Sequence, residues 1–145
     1  MEFKKILIAV KDSANALRAA KTGFALAHSL GATVGLIFVV DKSREVVSAD
    51  LGITSKQSGT VLLGEAEKSI EQLIQMYTSE ERIVRFTPEG SPEKEILNIA
   101  KEWEADLIVM GSPDKSGLNR LLSGSKTEYV IKHAGVPVMI TAGCE

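Results

Sequence analysis

The chain has 145 residues, 44% of them hydrophobic and 25% charged, a length and balance that suit one globular domain over residues 1–145. Its net charge of −2 argues against nucleic acid or an acidic membrane surface as a partner, since both attract a basic face. The single cysteine, Cys144, cannot form an internal disulfide, and no apolar run reaches the roughly 20 residues that span a bilayer. The first residues also lack the features of a secretory signal, so we expect a cytoplasmic protein.

The first part of the chain predicts a strand, a helix and a strand. Ile6–Val10 is a continuous apolar run, which is typical of a strand buried on both faces of a parallel sheet. Apolar residues then recur every three or four positions from Leu17 to Ala27, which predicts a helix that stops at Gly31. A second continuous apolar run, Val34–Val40, predicts the next buried strand.

The middle of the chain is less regular. The segment from Asp41 to about Thr60 is polar and has no clear period, so we expect a mobile loop there, with a lid over a ligand as the alternative. A helical period returns from Leu63 to Tyr77. Ile83–Phe86 is then predicted as a strand.

A third helix is predicted from the residues that open it. Ser91 is a capping residue and Pro92 suits the first helical turn, and an apolar stripe follows from Ile96 to Trp103. The acidic residues of this helix are expected on a solvated face rather than as paired catalytic acids; they are Glu93, Glu95, Glu102 and Glu104.

The chain closes with a predicted strand at Leu107–Met110, a helix at Ser125–His133 and a strand at Val136–Thr141. The order β-α-β-α-β-α-β-α-β predicts an α/β fold, an open five-stranded parallel sheet with helices on both faces. Ligands of such sheets bind beyond the carboxyl ends of the strands, where the strand order reverses. If Val136–Thr141 is an edge strand, its unpaired backbone groups invite pairing with a second copy of the chain.

The stretch between the fourth predicted strand and the last helix has the residues best suited to a ligand. Gly111 ends the strand and permits both a sharp turn and a close approach of the backbone to a ligand. The following helix start offers backbone N–H groups, hydroxyls and a cation to a phosphate, through Gly124, Ser125, Lys126 and Thr127. On spacing alone, a loop whose glycines only form turns and whose serine only caps the helix has equal weight.

Other chemistries lack the residues that they need. The run Gly124–Thr127 has a serine between its glycine and lysine, which departs from the phosphate-binding loop of nucleotide hydrolases. The turn after the first strand has neither the glycine motif of dehydrogenases nor the acidic cluster of receiver domains. His28 and His133 have no partner at metal-ligand or acid–base spacing, and no nucleophile or general base can be named. A slow ATPase or phosphate-transfer enzyme is therefore the last of the alternatives.

Several segments resemble the universal stress protein family. The spacing Gly111-x-x-Asp114-x9-Gly124-Ser125 is similar to the nucleotide signature of that family. The likeness extends to ILIAVKDS at Ile6–Ser13, GLIFVVD at Gly35–Asp41, EGSPEKEILNIAKEWEADLIVMGS at Glu89–Ser112 and HAGVPVMIT at His133–Thr141. It implies a five-stranded parallel α/β fold and homodimers that often form through the last strand. One branch of the family binds ATP or AMP, and another does not.

Carried over to this sequence, the resemblance implies a set of nucleotide contacts. The adenine and ribose would lie by Ala9, Lys11 and Val39. The ribose and phosphates would meet Met110, Gly111, Ser112, Gly124, Ser125, Lys126 and Thr127.

Two of the positions around this site depart from the family pattern. Asp114 stands where the signature has its second glycine, and a carboxylate about 5 Å from a phosphate, at an effective dielectric near 20, is repelled by roughly 3 kcal/mol. A bridging Mg²⁺ would reverse the sign of that term. Lys11 stands where the ATP-binding branch usually has an aspartate. The resemblance therefore implies either an adenine-nucleotide-binding regulatory module of the stress response or a dimeric interaction module that binds an unidentified protein partner and no nucleotide.

Overall fold

The computed structural model describes residues 2–11, 14–41, 55–77, 83–112 and 125–142. Strands and helices alternate along these residues in the predicted order. In chain order they are β1 (Lys5–Ala9), α1 (Ala14–Leu30), β2 (Thr33–Ile37), α2 (Ser55–Tyr77), β3 (Ile83–Phe86), α3 (Pro92–Trp103), β4 (Leu107–Gly111), α4 (Ser125–His133) and β5 (Val138–Thr141).

The strands form one parallel sheet in the order β3-β2-β1-β4-β5. From β1 the chain moves outward to β2 and β3, and from β4 it moves outward on the other side to β5, so the strand order reverses between β1 and β4. Helices α1 and α2 pack on one face of the sheet, and α3 and α4 pack on the other. The predicted open five-stranded parallel sheet with helices on both faces is confirmed.

Burial on both faces explains the continuous apolar runs of the central strands. Ile6, Leu7 and Ile8 of β1 are all fully buried. Because side chains alternate along a strand, Ile6 and Ile8 pack against α1 and α2, while Leu7 packs against α3 and α4. A strand covered on one face only would show an apolar residue at every second position.

Local signals set the helix ends. Helix α1 ends at Gly31, whose φ of +64° lies in the left-handed region that glycine adopts without strain. Helix α3 begins after Ser91, which has the extended backbone of a capping residue but makes no side-chain capping hydrogen bond. Pro92 occupies its first turn, as predicted.

Several boundaries differ from the predictions. Strand β2 ends at Ile37 rather than at Val40, which forms only an isolated bridge with Glu89. Helix α2 begins at Ser55, so the loop predicted to extend to Thr60 ends earlier, and residues 42–54 lie outside the described residues. The sequence SKQSGT has no apolar residue to show a helical period, and its one glycine costs only about 1 kcal/mol within a helix. The last strand begins at Val138 rather than Val136. Among the described helices, none combines the length and the apolar character needed to cross a bilayer.

Candidate functional site

Those predicted nucleotide contacts that belong to β1 and β4 lie together at the carboxyl edge of the sheet, where the strand order reverses. β1 and β4 are neighbours with Ile8 opposite Val109, so Ala9 of β1 lies near the end of β4 at Met110. On the other side of β1, Ala9 is the register partner of Ile37 in β2. The ends of three adjacent strands therefore border one crevice, which is where open parallel sheets bind their ligands.

Three half-buried apolar residues, Ala9, Val39 and Met110, form what we call the apolar shelf. All three pack against the core cluster under α3 and α4, so they lie on the same face of the sheet. Two residues earlier on the same strands, Leu7, Ile37 and Ile108 are 0%, 1% and 0% exposed. Burial therefore decreases toward the carboxyl edge and leaves apolar surface that suits the flat face of a base.

Polar residues follow the apolar shelf at the next positions of the strand alternation. They are Lys11, which is exposed, and Asp41 and Ser112, which are half-buried. The backbone N–H of Ser112 donates to the carbonyl of Thr141 at 3.1 Å, which extends the pairing of β4 with β5 up to the crevice. Asp41 was not among the predicted contacts, although the period-two series Ile37, Val39, Asp41 places it at the same edge of the sheet.

The phosphate end of the predicted site is described only in part. Helix α4 begins at Ser125, with Lys126 exposed and Thr127 half-buried in its first turn. Because α4 follows β4 and returns the chain to the start of β5, its N-terminus lies toward the carboxyl edge, with its N–H groups and positive dipole end. Asp114 and Gly124 lie outside the described residues, as does the side chain of Ser125.

Glu93 lies close to this edge and corrects one prediction. It was expected on a solvated face of α3 together with Glu102 and Glu104; those two are exposed, but Glu93 and Glu95 are half-buried. Glu93 lies three and seven residues before Ile96 and Ala100, the buried residues of α3, and so belongs to the same sheet-facing stripe. Its Oε2 atom is buried and has no hydrogen-bond partner among the described residues.

Backbone hydrogen bonds place the start of α3 beside β2. The N–H of Val40 donates to the carbonyl of Pro88 at 2.7 Å, and the N–H of Gly90 donates back to the carbonyl of Val40 at 3.0 Å. The chain enters α3 directly after this pairing. The first turn of α3 therefore lies at the carboxyl edge, near the end of β2.

Other polar groups of the described residues do not form a second chemical site. The ring of His133 packs on Tyr129 with the ring centroids 4.5 Å apart, at the C-terminal end of α4. A cavity of about 350 Å³ opens beside it, between the ends of α3 and α4, lined by residues that include Lys101, Glu104 and Val136. No group of three metal-ligating side chains occurs among the described residues.

The fold and the crevice define a doubly wound α/β protein with a candidate ligand site at the reversal of its strand order. Residues 2–142 match the model of the universal stress protein family, and the chain belongs to that family. Universal stress protein MJ0531 of Methanocaldococcus jannaschii is 37% identical, in a match that covers 95% of this chain and 81% of the relative.

Solved structures agree with this assignment. Protein MJ0577 of the same organism superposes with a TM-score of 0.84 at 27% identity and covers 100% of this chain and 99% of its own. Universal stress protein UspA from Lactobacillus plantarum has a TM-score of 0.81 at 26% identity and covers 97% and 98% of the two chains.

Two further solved structures share the fold and hold nucleotides. A universal stress protein in complex with cAMP has a TM-score of 0.65 at 20% identity, with 97% of this chain and 98% of that chain covered. The universal stress protein from Archaeoglobus fulgidus in complex with dAMP has a TM-score of 0.57 at 22% identity, with the same coverage of 97% and 98%. At these identities the likeness shows the fold alone, and the ligands are those of the two proteins named.

Proposed function

We propose that this universal stress protein is a regulatory module that binds an adenine nucleotide in the crevice between the ends of β1 and β4. The apolar shelf, half-buried at the strand-order reversal, is the observation that carries the proposal. Helix α4 begins toward the same edge of the sheet and so can supply the phosphate contacts. The cAMP and dAMP complexes of two proteins with this fold support an adenine nucleotide as the ligand class. The proposal takes residues 1–145 as one domain that works in the cytoplasm.

The crevice orders the parts of the nucleotide from β2 to β4. The base lies against the apolar shelf, next to Val39, and the ribose lies over the end of β1. The phosphates lie toward the start of α4, where backbone N–H groups, the exposed ammonium of Lys126 and the hydroxyl of Thr127 offer hydrogen bonds and positive charge. Met110, Gly111 and Ser112 border the phosphate side of the ribose.

Lys11 favours a ligand with few phosphates. Its exposed ammonium lies at the end of β1, in the place assigned to the ribose, and so adds positive charge near the first phosphate. Asp114, at the second glycine position of the family signature, opposes a long phosphate chain unless Mg²⁺ bridges it. We therefore expect AMP or a cyclic monophosphate to bind more tightly than ATP when Mg²⁺ is absent.

Titration calorimetry on nucleotide-stripped protein tests the proposal. AMP, cAMP, ADP and ATP are compared with and without Mg²⁺, and micromolar binding of at least one is expected. Gly124→Leu should abolish that binding by filling the space of the phosphates, whereas Gly64→Ala, on the exposed surface of α2, should leave it unchanged. Equal affinity of the Gly124→Leu variant would refute the site assignment.

Dimerisation is the second part of the proposal. β5 is the last strand of the sheet order, and each of its residues, Val138–Thr141, is half-buried rather than buried. No strand of the described residues pairs with its outer backbone groups, and a second copy of the chain would pair with them. A regulatory change in the nucleotide crevice would reach the dimer surface through β4, which adjoins both β1 and β5.

A protein-interaction module without a nucleotide is the alternative. The loss at position 11 of the aspartate that is usual in the ATP-binding branch favours it, as do the apolar side chains exposed on helices, among them Leu30, Met76 and Ile131. The same calorimetry separates the two functions. If millimolar nucleotide gives no heat of binding, the interaction module becomes the proposed function.

A further inference from the structure

Glu93 carries a buried polar group that the proposed nucleotide contacts leave unexplained. Its Oε2 atom is buried and finds no hydrogen-bond partner in the part of the chain that the structure describes. A buried acceptor without a donor costs free energy, because the water that it loses on folding is not replaced. A donor supplied by a bound ligand would satisfy it.

Glu93 lies at the end of the crevice assigned to the base. It belongs to the sheet-facing stripe of α3, one turn before Ile96, and α3 begins where the chain pairs with Val40 beside β2. The phosphates are assigned to the opposite end, beside β4 and Lys126. Val39 packs against the same core cluster as the buried residues of α3, so a base against Val39 would lie on the sheet-facing side of α3, the side to which Glu93 belongs.

A carboxyl oxygen in this place discriminates among bases by their hydrogen-bond donors. The 6-amino group of adenine donates N–H groups, whereas the carbonyl oxygen of hypoxanthine at the same ring position only accepts. A base without a donor there would leave the Oε2 atom buried and unpaired in the complex, which weakens binding.

We propose, resting on the nucleotide site proposed above, that Glu93 is a specificity-determining residue whose Oε2 accepts a hydrogen bond from the 6-amino group of adenine. The preference for adenine over other purines, which the proposed site leaves without a residue to enforce it, is then assigned to one side chain. The residue does not contact the phosphates, so its effect should be the same for a monophosphate and a cyclic monophosphate.

The test compares AMP, IMP and purine riboside 5′-monophosphate, which differs from AMP only by lacking the 6-amino group. Wild-type protein should bind AMP about 10- to 100-fold more tightly than either of the others in calorimetry. In Glu93→Ala this preference should largely disappear, while Glu93→Gln, which keeps the size and one acceptor oxygen, should retain part of it. Glu95→Ala, in the same helical turn, is the matched control and should keep the full preference.

A second readout needs no ligand. Glu93→Ala and Glu95→Ala each lose an acidic group near the N-terminus of α3, but only Glu93→Ala also removes the unpaired buried oxygen. The Tm of Glu93→Ala without nucleotide should therefore exceed that of Glu95→Ala. A lower Tm would mean that the Glu93 carboxyl supports the fold and would overturn the inference.

The binding results separate the two proposals. AMP binding with an unchanged preference in Glu93→Ala would overturn the role of Glu93 and leave the nucleotide site standing. Failure of the wild-type protein to bind any of the three ligands would overturn both.

Discussion

Gly35 lies where two aromatic rings press against the middle of β2, and replacing it with alanine should destabilise the protein. A Cβ at this position would lie 2.9 Å from Cζ3 and 3.0 Å from Cη2 of Trp103, and 3.0 Å from Cε2 of Phe86. The two rings hold each other edge to face, with centroids 5.6 Å apart and planes at 66°. Trp103 also lies under the ammonium of Lys5, which is 5.6 Å from the ring centroid and donates to the Trp103 carbonyl at 3.1 Å.

The size of the effect follows from these contacts. Carbon atoms are at their optimal separation at about 3.5–4.0 Å, so the rings must move by roughly 0.5–1 Å to admit the methyl group of alanine at position 35. Overpacking of this kind costs about 1–3 kcal/mol, and the lower backbone entropy of alanine in the unfolded chain offsets about 0.4–1 kcal/mol. We expect Gly35→Ala to lower the free energy of unfolding by about 1–2 kcal/mol and the Tm by about 3–6 °C.

Thermal and urea unfolding, followed by circular dichroism, measure this change. Gly64→Ala is the matched control, because Gly64 lies in α2 with no atom within 4 Å of the added Cβ. The same chemical change should there raise the free energy of unfolding by about 0.5–1 kcal/mol. If Gly35→Ala were as stable as the wild type, or if its loss persisted undiminished in a Trp103→Leu background, the packing argument would be refuted.

Three further predictions concern the start of β1, the nucleotide crevice and the edge strand β5. The Oδ2 atom of Asp106 accepts hydrogen bonds from the backbone N–H of Lys5, the first residue of β1, at 2.9 Å and from that of Lys4, just before it, at 2.8 Å. Asp106→Ala should therefore lower the free energy of unfolding by about 1–3 kcal/mol in urea titrations. Lys11→Met should change the free energy of unfolding by less than about 0.5 kcal/mol but weaken AMP binding in calorimetry. Lys21 is exposed on α1, and Lys21→Met should alter neither the stability nor AMP binding. Ile140→Pro should give a folded monomer in sedimentation experiments, because the N–H of Ile140 points outward from the sheet edge while its two neighbours bond to β4. Met139→Pro, by contrast, should break the hydrogen-bond ladder between β5 and β4. A folded Ile140→Pro dimer would show that the copies associate elsewhere.

The fold followed from the sequence because its signals are local. Each buried strand is a continuous apolar run, as in Ile6–Val10, and the cap at Ser91 with Pro92 marks the start of α3 within one residue. The start of α2 was misjudged for the same reason, since SKQSGT carries no apolar residue that could show a period.

The candidate site depends on the placement of residues that are far apart in sequence, which no local sequence pattern predicts. The strand ends at Ala9 and Met110 could be assigned to a ligand through the family resemblance, but Glu93 could not. An acidic residue in the first turn of a helix is ordinarily explained by the helix dipole. The burial of Glu93 depends on where α3 starts over the sheet. That position is determined by the pairing of Val40 with residues 88–90, which lie some fifty residues later in the sequence.

The amino and carboxyl ends of the sheet differ in how closely they are packed. This difference explains why a ligand site at the carboxyl edge would lower the stability of the fold only slightly. At the amino end, the Asp106 carboxyl and the Trp103 ring and carbonyl hold the start of β1 through hydrogen bonds and ring contacts. At the carboxyl end, the apolar shelf is only half-buried, so its packing contributes less to the stability of the fold. Gly35 in β2 and Val39, just beyond the end of that strand, are four residues apart, about 13 Å in extended chain, which is far enough for changes at one end to leave the other nearly independent. A nucleotide that covers the shelf would therefore add its binding free energy to a sheet whose stability is set at the opposite end.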